Sequence, residues 1–162
     1  MTDAGTAERA DPVGIGQVRR WLEEGARVAL YIRHAERPPI ADDDPTFGAA
    51  LVLTPAGERS ALALGGALRG SVASVRLMAS PMERTRRTAR LIGDGAGAVG
   101  TPVEDATAIG VGNVFTDTDG AHGEMQRVGV MDYMLAYLAT GEAAYALPVH
   151  EATRLALEWI HQ

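Results

Sequence analysis

Apolar residues recur along this chain with two different periods, and the changes between them divide it into elements. In "GIGQVRRWLEEG", residues 14–25, Ile15, Val18 and Trp21 or Leu22 share one side, which predicts a short amphipathic helix stopped by Gly25. "RVALYIR", 27–33, is a compact run of β-forming residues and predicts a central parallel strand buried on both faces. A loop follows in "PPIADDDPTFGA", 38–49, where prolines flank the acidic triplet Asp42 to Asp44. "LTPAGERSALALGGALRG", 53–70, is the clearest helix. Thr54 suits its N-cap, Pro55 its first turn, and Leu62, Leu64 and Leu68 mark its apolar side.

"SVRLMAS", 74–80, predicts a second strand, and "PMERTRRTARLIGDG", 81–95, a helix opened by proline and closed near Gly93. "TPVEDATAI", 101–109, holds a short third strand in this reading. The stretch 110–124 is loop-like and long enough to carry function. Residues 125–142 and 149–162 predict two further helices. Helices that alternate with strands in this order predict an α/β fold with a mainly parallel sheet. The 162 residues suit a single domain, 12–162, behind a loose polar tail at 1–11.

Charge narrows the classes of partner. The formal charge is −6, so a nucleic-acid partner, which calls for a basic surface, is not expected. The polar, acidic N-terminus is unlike a secretory signal, and no apolar run reaches the length of a membrane span. A soluble, cytoplasmic protein with no membrane partner is the expectation. The chain has no cysteine, which removes disulfides, thiolate nucleophiles and zinc-thiolate sites. All 15 basic residues are arginine, which removes Walker-type and Schiff-base lysines. Its histidines are scattered and include no His-Glu-x-x-His pair, so neither a metal nor a cofactor is expected.

What remains is a concentration of arginine where strands should end. "YIRHAERPP" places Arg33, His34 and Arg37 at the end of the first predicted strand, and Arg84 follows the end of the second. Ligands of open parallel sheets bind beyond the carboxyl ends of the strands. Three guanidinium groups converging there repel one another unless a multi-oxygen anion lies between them, and phosphate accepts paired hydrogen bonds from each. The start of the following helix would add backbone N–H donors. A neutral imidazole inside such a cage is a nucleophile toward phosphorus, with the arginines stabilising the charge that develops on the equatorial oxygens.

These residues resemble the histidine phosphatase superfamily. "RHAERPP" is similar to its Arg-His-Gly-x-Arg-x-Pro signature, with Ala35 in place of glycine. "LTPAGERSALALGGAL" resembles the Leu-Thr-x-x-Gly helix that follows, and "ASPMERTRRTA" its Ser-Pro-x-x-Arg-x-x-x-Thr-Ala segment. The resemblance implies His34 as the phosphorylated nucleophile and Arg33, Arg37 and Arg84 as phosphate ligands. It implies a metal-independent phosphomonoester hydrolase, a small phosphorylated substrate or inorganic phosphate as ligand, and a phosphoglycerate mutase-like three-layer sandwich around the parallel sheet.

The family also carries a second histidine on a late strand. None of His122, His150 and His161 follows a strand-like run, so the chain reads as C-terminally incomplete for this fold. A fragment of a longer phosphatase, a homodimer in which a partner copy donates the strand, and a weakly active or inactive phosphate-binding domain are the alternatives this raises. For the proton donor to the leaving group the nominee is Glu124, with Asp117 and Asp119 behind it. That role needs a carboxyl pKa raised toward neutrality.

Overall fold

The computed structural model describes residues 14–41, 44, 46, 48–107 and 114–160, the side chains of 159 and 160 excepted. The expected tail at 1–11, Asp42, Asp43 and His161 lie outside the described residues. Among the described residues six helices and two strands follow one another in the order α1 (Ile15–Glu23), α2 (Pro55–Leu68), β1 (Leu77–Ala79), α3 (Glu83–Ala96), β2 (Val103–Asp105), α4 (Thr118–Val128), α5 (Val130–Thr140) and α6 (Val149–Ile160). The fold is mixed helix and sheet, with β1 and β2 paired in parallel and Leu77 opposite Val103. No helix among the described residues is long and apolar enough to cross a membrane.

Helices α2 and α3 form the main packing unit, and glycine makes it close. A Cβ on Gly65 would stand 2.0 Å from the Ile92 carbonyl oxygen, and one on Gly95 would stand 2.2 Å from that of Leu62. The two backbones therefore touch where larger residues would hold them apart. Leu53, Ala61 and Leu91 form the core there, with Ala35 and Ile92 packed on it. Thr54 caps α2 as its sequence suggests, its hydroxyl accepting the Gly57 N–H at 2.9 Å. Helix α3 runs past the expected stop at Gly93 and ends at Gly97, whose φ of 97° only glycine adopts freely. Gly93 stays helical for a packing reason, since a Cβ there would meet the Leu77 side chain of β1 at 2.5 Å.

Two further expectations are corrected. The stretch 125–142 is not one helix: α4 begins early, at Thr118 behind the cap Asp117, and Gly129 at φ 95° separates it from α5. That break lets Met125 and Tyr133 pack together with Ala121 in a second small core. The strand expected at 27–33 does not form, and these residues enter no ladder among the described residues. Leu30, Tyr31 and Ile32 stay 43, 70 and 42% exposed. An apolar run becomes a buried strand only when neighbouring strands satisfy its N–H and C=O groups, and that pairing is not local. The described residues thus hold a two-stranded sheet in place of the central sheet of a three-layer sandwich.

Candidate active site

Since 27–33 is not tied into the sheet, the turn at His34 must be held by other means, and α2 and α3 supply them. From α2, the Thr54 N–H donates to the Glu36 carbonyl at 3.0 Å, and the Thr54 hydroxyl donates to the Glu36 carboxylate at 2.9 Å. Gly57 sits so close beneath that a Cβ would lie 2.3 Å from the same Glu36 carbonyl oxygen. From α3, the buried Thr88 hydroxyl accepts the Ala35 N–H at 3.0 Å. The spacing of Thr54, Gly57 and Thr88 within their motifs is thereby explained: each touches the segment 35–36. Ala35, where the signature has glycine, costs nothing, because its φ is negative and its methyl packs on the core of Leu53, Ala61 and Leu91.

His34 lies half-buried in this turn, and its Nδ1 stands 2.8 Å from the Ala35 carbonyl oxygen. A carbonyl only accepts, so Nδ1 carries the proton of the neutral ring and Nε2 keeps its lone pair. Burial, foremost, and the positive charges of Arg84, Arg33 and Arg37 hold the imidazole below its ordinary value of 6.5, partly offset by the bond to Ala35. The ring is consequently neutral at pH 7, the state a nitrogen nucleophile requires.

Arg84 enters from the first turn of α3. The turn before it is pinned by Ser80 and Thr85: the Ser80 hydroxyl donates to that of Thr85 at 3.0 Å, and Thr85 donates to the Ser80 and Met82 carbonyls. One Arg84 nitrogen donates to the Gly48 and Ala49 carbonyls at 2.6 and 3.2 Å, which aims the buried side chain. Burial first, then repulsion from Arg37 and Arg33, lowers its pKa. Arg37 is half-buried and gives one nitrogen to the Pro38 carbonyl at 2.6 Å. The Nε–H groups of both Arg37 and Arg84 are buried with no partner among the described residues. An unsatisfied buried donor costs about 1–3 kcal/mol, so two in one cluster mark a place where an anion is wanted.

The structure therefore brings together Arg33, His34, Arg37 and Arg84. Glu124 is not among the groups that shift His34. That residue is on α4, where Arg127 hydrogen-bonds its carboxylate and, through charge as well, holds its pKa below the ordinary range. A general acid needs the opposite shift. Asp117 is occupied as the cap of α4, accepting the Gly120 N–H at 3.0 Å, and Asp119 is exposed in the first turn. His122 and His150 lie on α4 and α6, and neither is among the groups that shift His34. Further along α3, Arg87 pairs with Glu58 of α2 at 2.8 Å. No cluster of three or more metal-binding side chains occurs among the described residues.

Comparison with known proteins finds one family. Residues 30–110, which contain all four clustered groups and the three motifs, match the family model described as histidine phosphatase superfamily (branch 1). No curated protein and no solved structure matches the chain significantly. Members of the matched superfamily are generally phosphoryl-transfer enzymes. With half of its length matched, and with the histidine and arginines of the signature gathered around one another, this chain belongs to the histidine phosphatase superfamily.

Proposed function

We propose that the chain is a phosphomonoester hydrolase that works through a phosphohistidine on His34. The observation that carries this reading is the state of His34, a neutral ring with its Nδ1 proton committed to Ala35, set among three guanidiniums of which two hold unsatisfied Nε–H groups. In the first step Nε2 attacks phosphorus, the bond from phosphorus to the ester oxygen breaks, and the departing alkoxide takes a proton from solvent water. In the second, water attacks the phosphohistidine, the P–N bond breaks, and orthophosphate and the free imidazole are released. Arg33, Arg37 and Arg84 take the three transferring oxygens and neutralise charge as it spreads over them, so this reading needs no metal ion. The ligand is a small phosphate monoester or inorganic phosphate. Glu124, ionised and held by Arg127, has no part in it.

A phosphate-binding domain without turnover is the competing reading, favoured by the lack of any second imidazole acting on His34 among the described residues. A nitrophenyl phosphate separates the two, because nitrophenolate leaves without needing a proton donor. The wild type is expected to release nitrophenol and to form an acid-labile phosphohistidine in rapid-quench samples, and His34→Ala to do neither. Equal inertness of wild type and His34→Ala, with phosphate binding intact in both, sinks the hydrolase reading and leaves the binding one.

A further inference from the structure

For His34 and Arg84 to face one phosphoryl group, two segments fifty residues apart must keep their relative place to within a fraction of an ångström. One side chain joins them directly. Thr88 lies one turn after Arg84 on α3 and is 5% exposed. Its hydroxyl donates to the Arg84 carbonyl at 2.7 Å and accepts the Ala35 N–H at 3.0 Å. Ala35 in turn accepts the His34 Nδ1–H at 2.8 Å. Donation to the carbonyl four residues back is an ordinary habit of helical threonine. Thr153 does the same on α6 at 2.7 Å, where it is exposed and the bond stays within one helix. What distinguishes Thr88 is the use of its remaining lone pair. With its one proton spent on Arg84, the oxygen can only accept, and the Ala35 N–H is what it accepts.

Resting on the hydrolase reading above, we infer that Thr88 is a positioning residue of the reaction: through Ala35 it sets the His34 ring against the helix that carries Arg84. The β-branch restricts χ1, so the oxygen has one place to be. Valine keeps that shape and removes both hydrogen bonds, leaving the Ala35 N–H without its partner. Serine keeps the oxygen and loses only a methyl group. Arg84 keeps its own support in either variant, because the Gly48 and Ala49 carbonyls hold its guanidinium.

The test is steady-state hydrolysis of nitrophenyl phosphate by wild type, Thr88→Val and Thr88→Ser, with inorganic phosphate as competitive inhibitor. Misplacing a reacting group by about an ångström costs on the order of 10²-fold. Thr88→Val is expected to lose about 10- to 100-fold in kcat, with KM and phosphate inhibition within about threefold of wild type, and Thr88→Ser to recover most of the loss. A Thr88→Val enzyme as active as wild type overturns the inference. So does an equal loss in both variants that tracks a common fall in melting temperature, because that is packing alone. Where Thr88→Val does not fold, hydrogen exchange in the wild type decides: the Ala35 amide is expected to exchange slowly, and exchange at the rate of an open loop overturns the inference. A wild type inert toward the ester overturns the hydrolase reading and takes this one with it, whereas an active wild type with an unaffected valine variant overturns this one alone.

Discussion

Gly57→Ala is a small change with a large expected consequence, because the added carbon points at the backbone that positions His34. Its Cβ would lie 2.3 Å from the Glu36 carbonyl oxygen and 2.9 Å from the Glu36 nitrogen, whereas ordinary contact begins near 3.4 Å. Glu36 must therefore retreat by about 1.1 Å, the difference between those two distances, and it has no flexible tip to give way. The retreat strains the bond from the Thr54 N–H to the Glu36 carbonyl, 3.0 Å long in the native chain. Overpacking of this kind costs about 1–3 kcal/mol and a lost hydrogen bond about 1 kcal/mol. Alanine in a helix returns about 0.5–1 kcal/mol. The net is a loss of about 2 kcal/mol, or roughly 4–8 °C in melting temperature for a chain of this size. Since Glu36 lies two residues from His34, the same shift should lower kcat/KM by about 10²-fold. Gly66→Ala is the control on the same helix, with nothing within 4 Å of its Cβ. It should gain up to about 1 kcal/mol and keep full activity. Scanning calorimetry and nitrophenyl phosphate kinetics on both proteins settle the matter. If Gly57→Ala is stabilised as much as Gly66→Ala and turns over at the wild-type rate, the account of how α2 holds the signature is wrong.

Two further outcomes follow from the charges. Orthophosphate at about 100 times its Kd should stabilise the wild type by about 2.7 kcal/mol, a rise of roughly 5–10 °C, since it relieves the repulsion among Arg33, Arg37 and Arg84. Arg84→Met should lose most of that rise, and an equal rise with chloride at matched ionic strength would show mere salt screening. The imidazole of His34 is depressed below 6.5, so the unfolded chain takes that proton first as the pH falls. The contribution of His34 to stability is thus whole above 6.5 and lost as the pH drops through its folded value. Melting temperatures should accordingly decline more steeply below pH 6.5 in the wild type than in His34→Asn, and parallel curves would contradict the neutral ring.

Much of this arrangement is legible in the amino-acid order. Thr54 and Pro55 announce the start of α2 because capping is decided by neighbours three residues apart. The order of His34, Thr54, Gly57, Arg84 and Thr88 carries the family's motifs in plain sight. What those motifs do for one another is not legible there. Nothing in a linear pattern tells that the Thr88 hydroxyl meets Ala35, or that Gly57 is small so that Glu36 can rest on it. The signal is the motif spacing itself, which marks the positions without assigning a contact.

The sequence by itself determined helices α1, α2 and α3, the Thr54 cap and the chemical character of the site, because these depend on periods and neighbours within a few residues. It also determined that any anion site would be built from arginine, since the chain has no lysine. Only the tertiary structure decided which apolar runs find partners. "LMA" and "VED" pair as β1 and β2, whereas the more strand-like 27–33 stays outside the ladder. It decided as well that Glu124 is ionised beside Arg127 and that His34 is held by two helices in place of a strand. Ladder pairing, burial and the field of distant charges all depend on contacts between residues far apart in the chain, and those contacts exist only once the chain has folded.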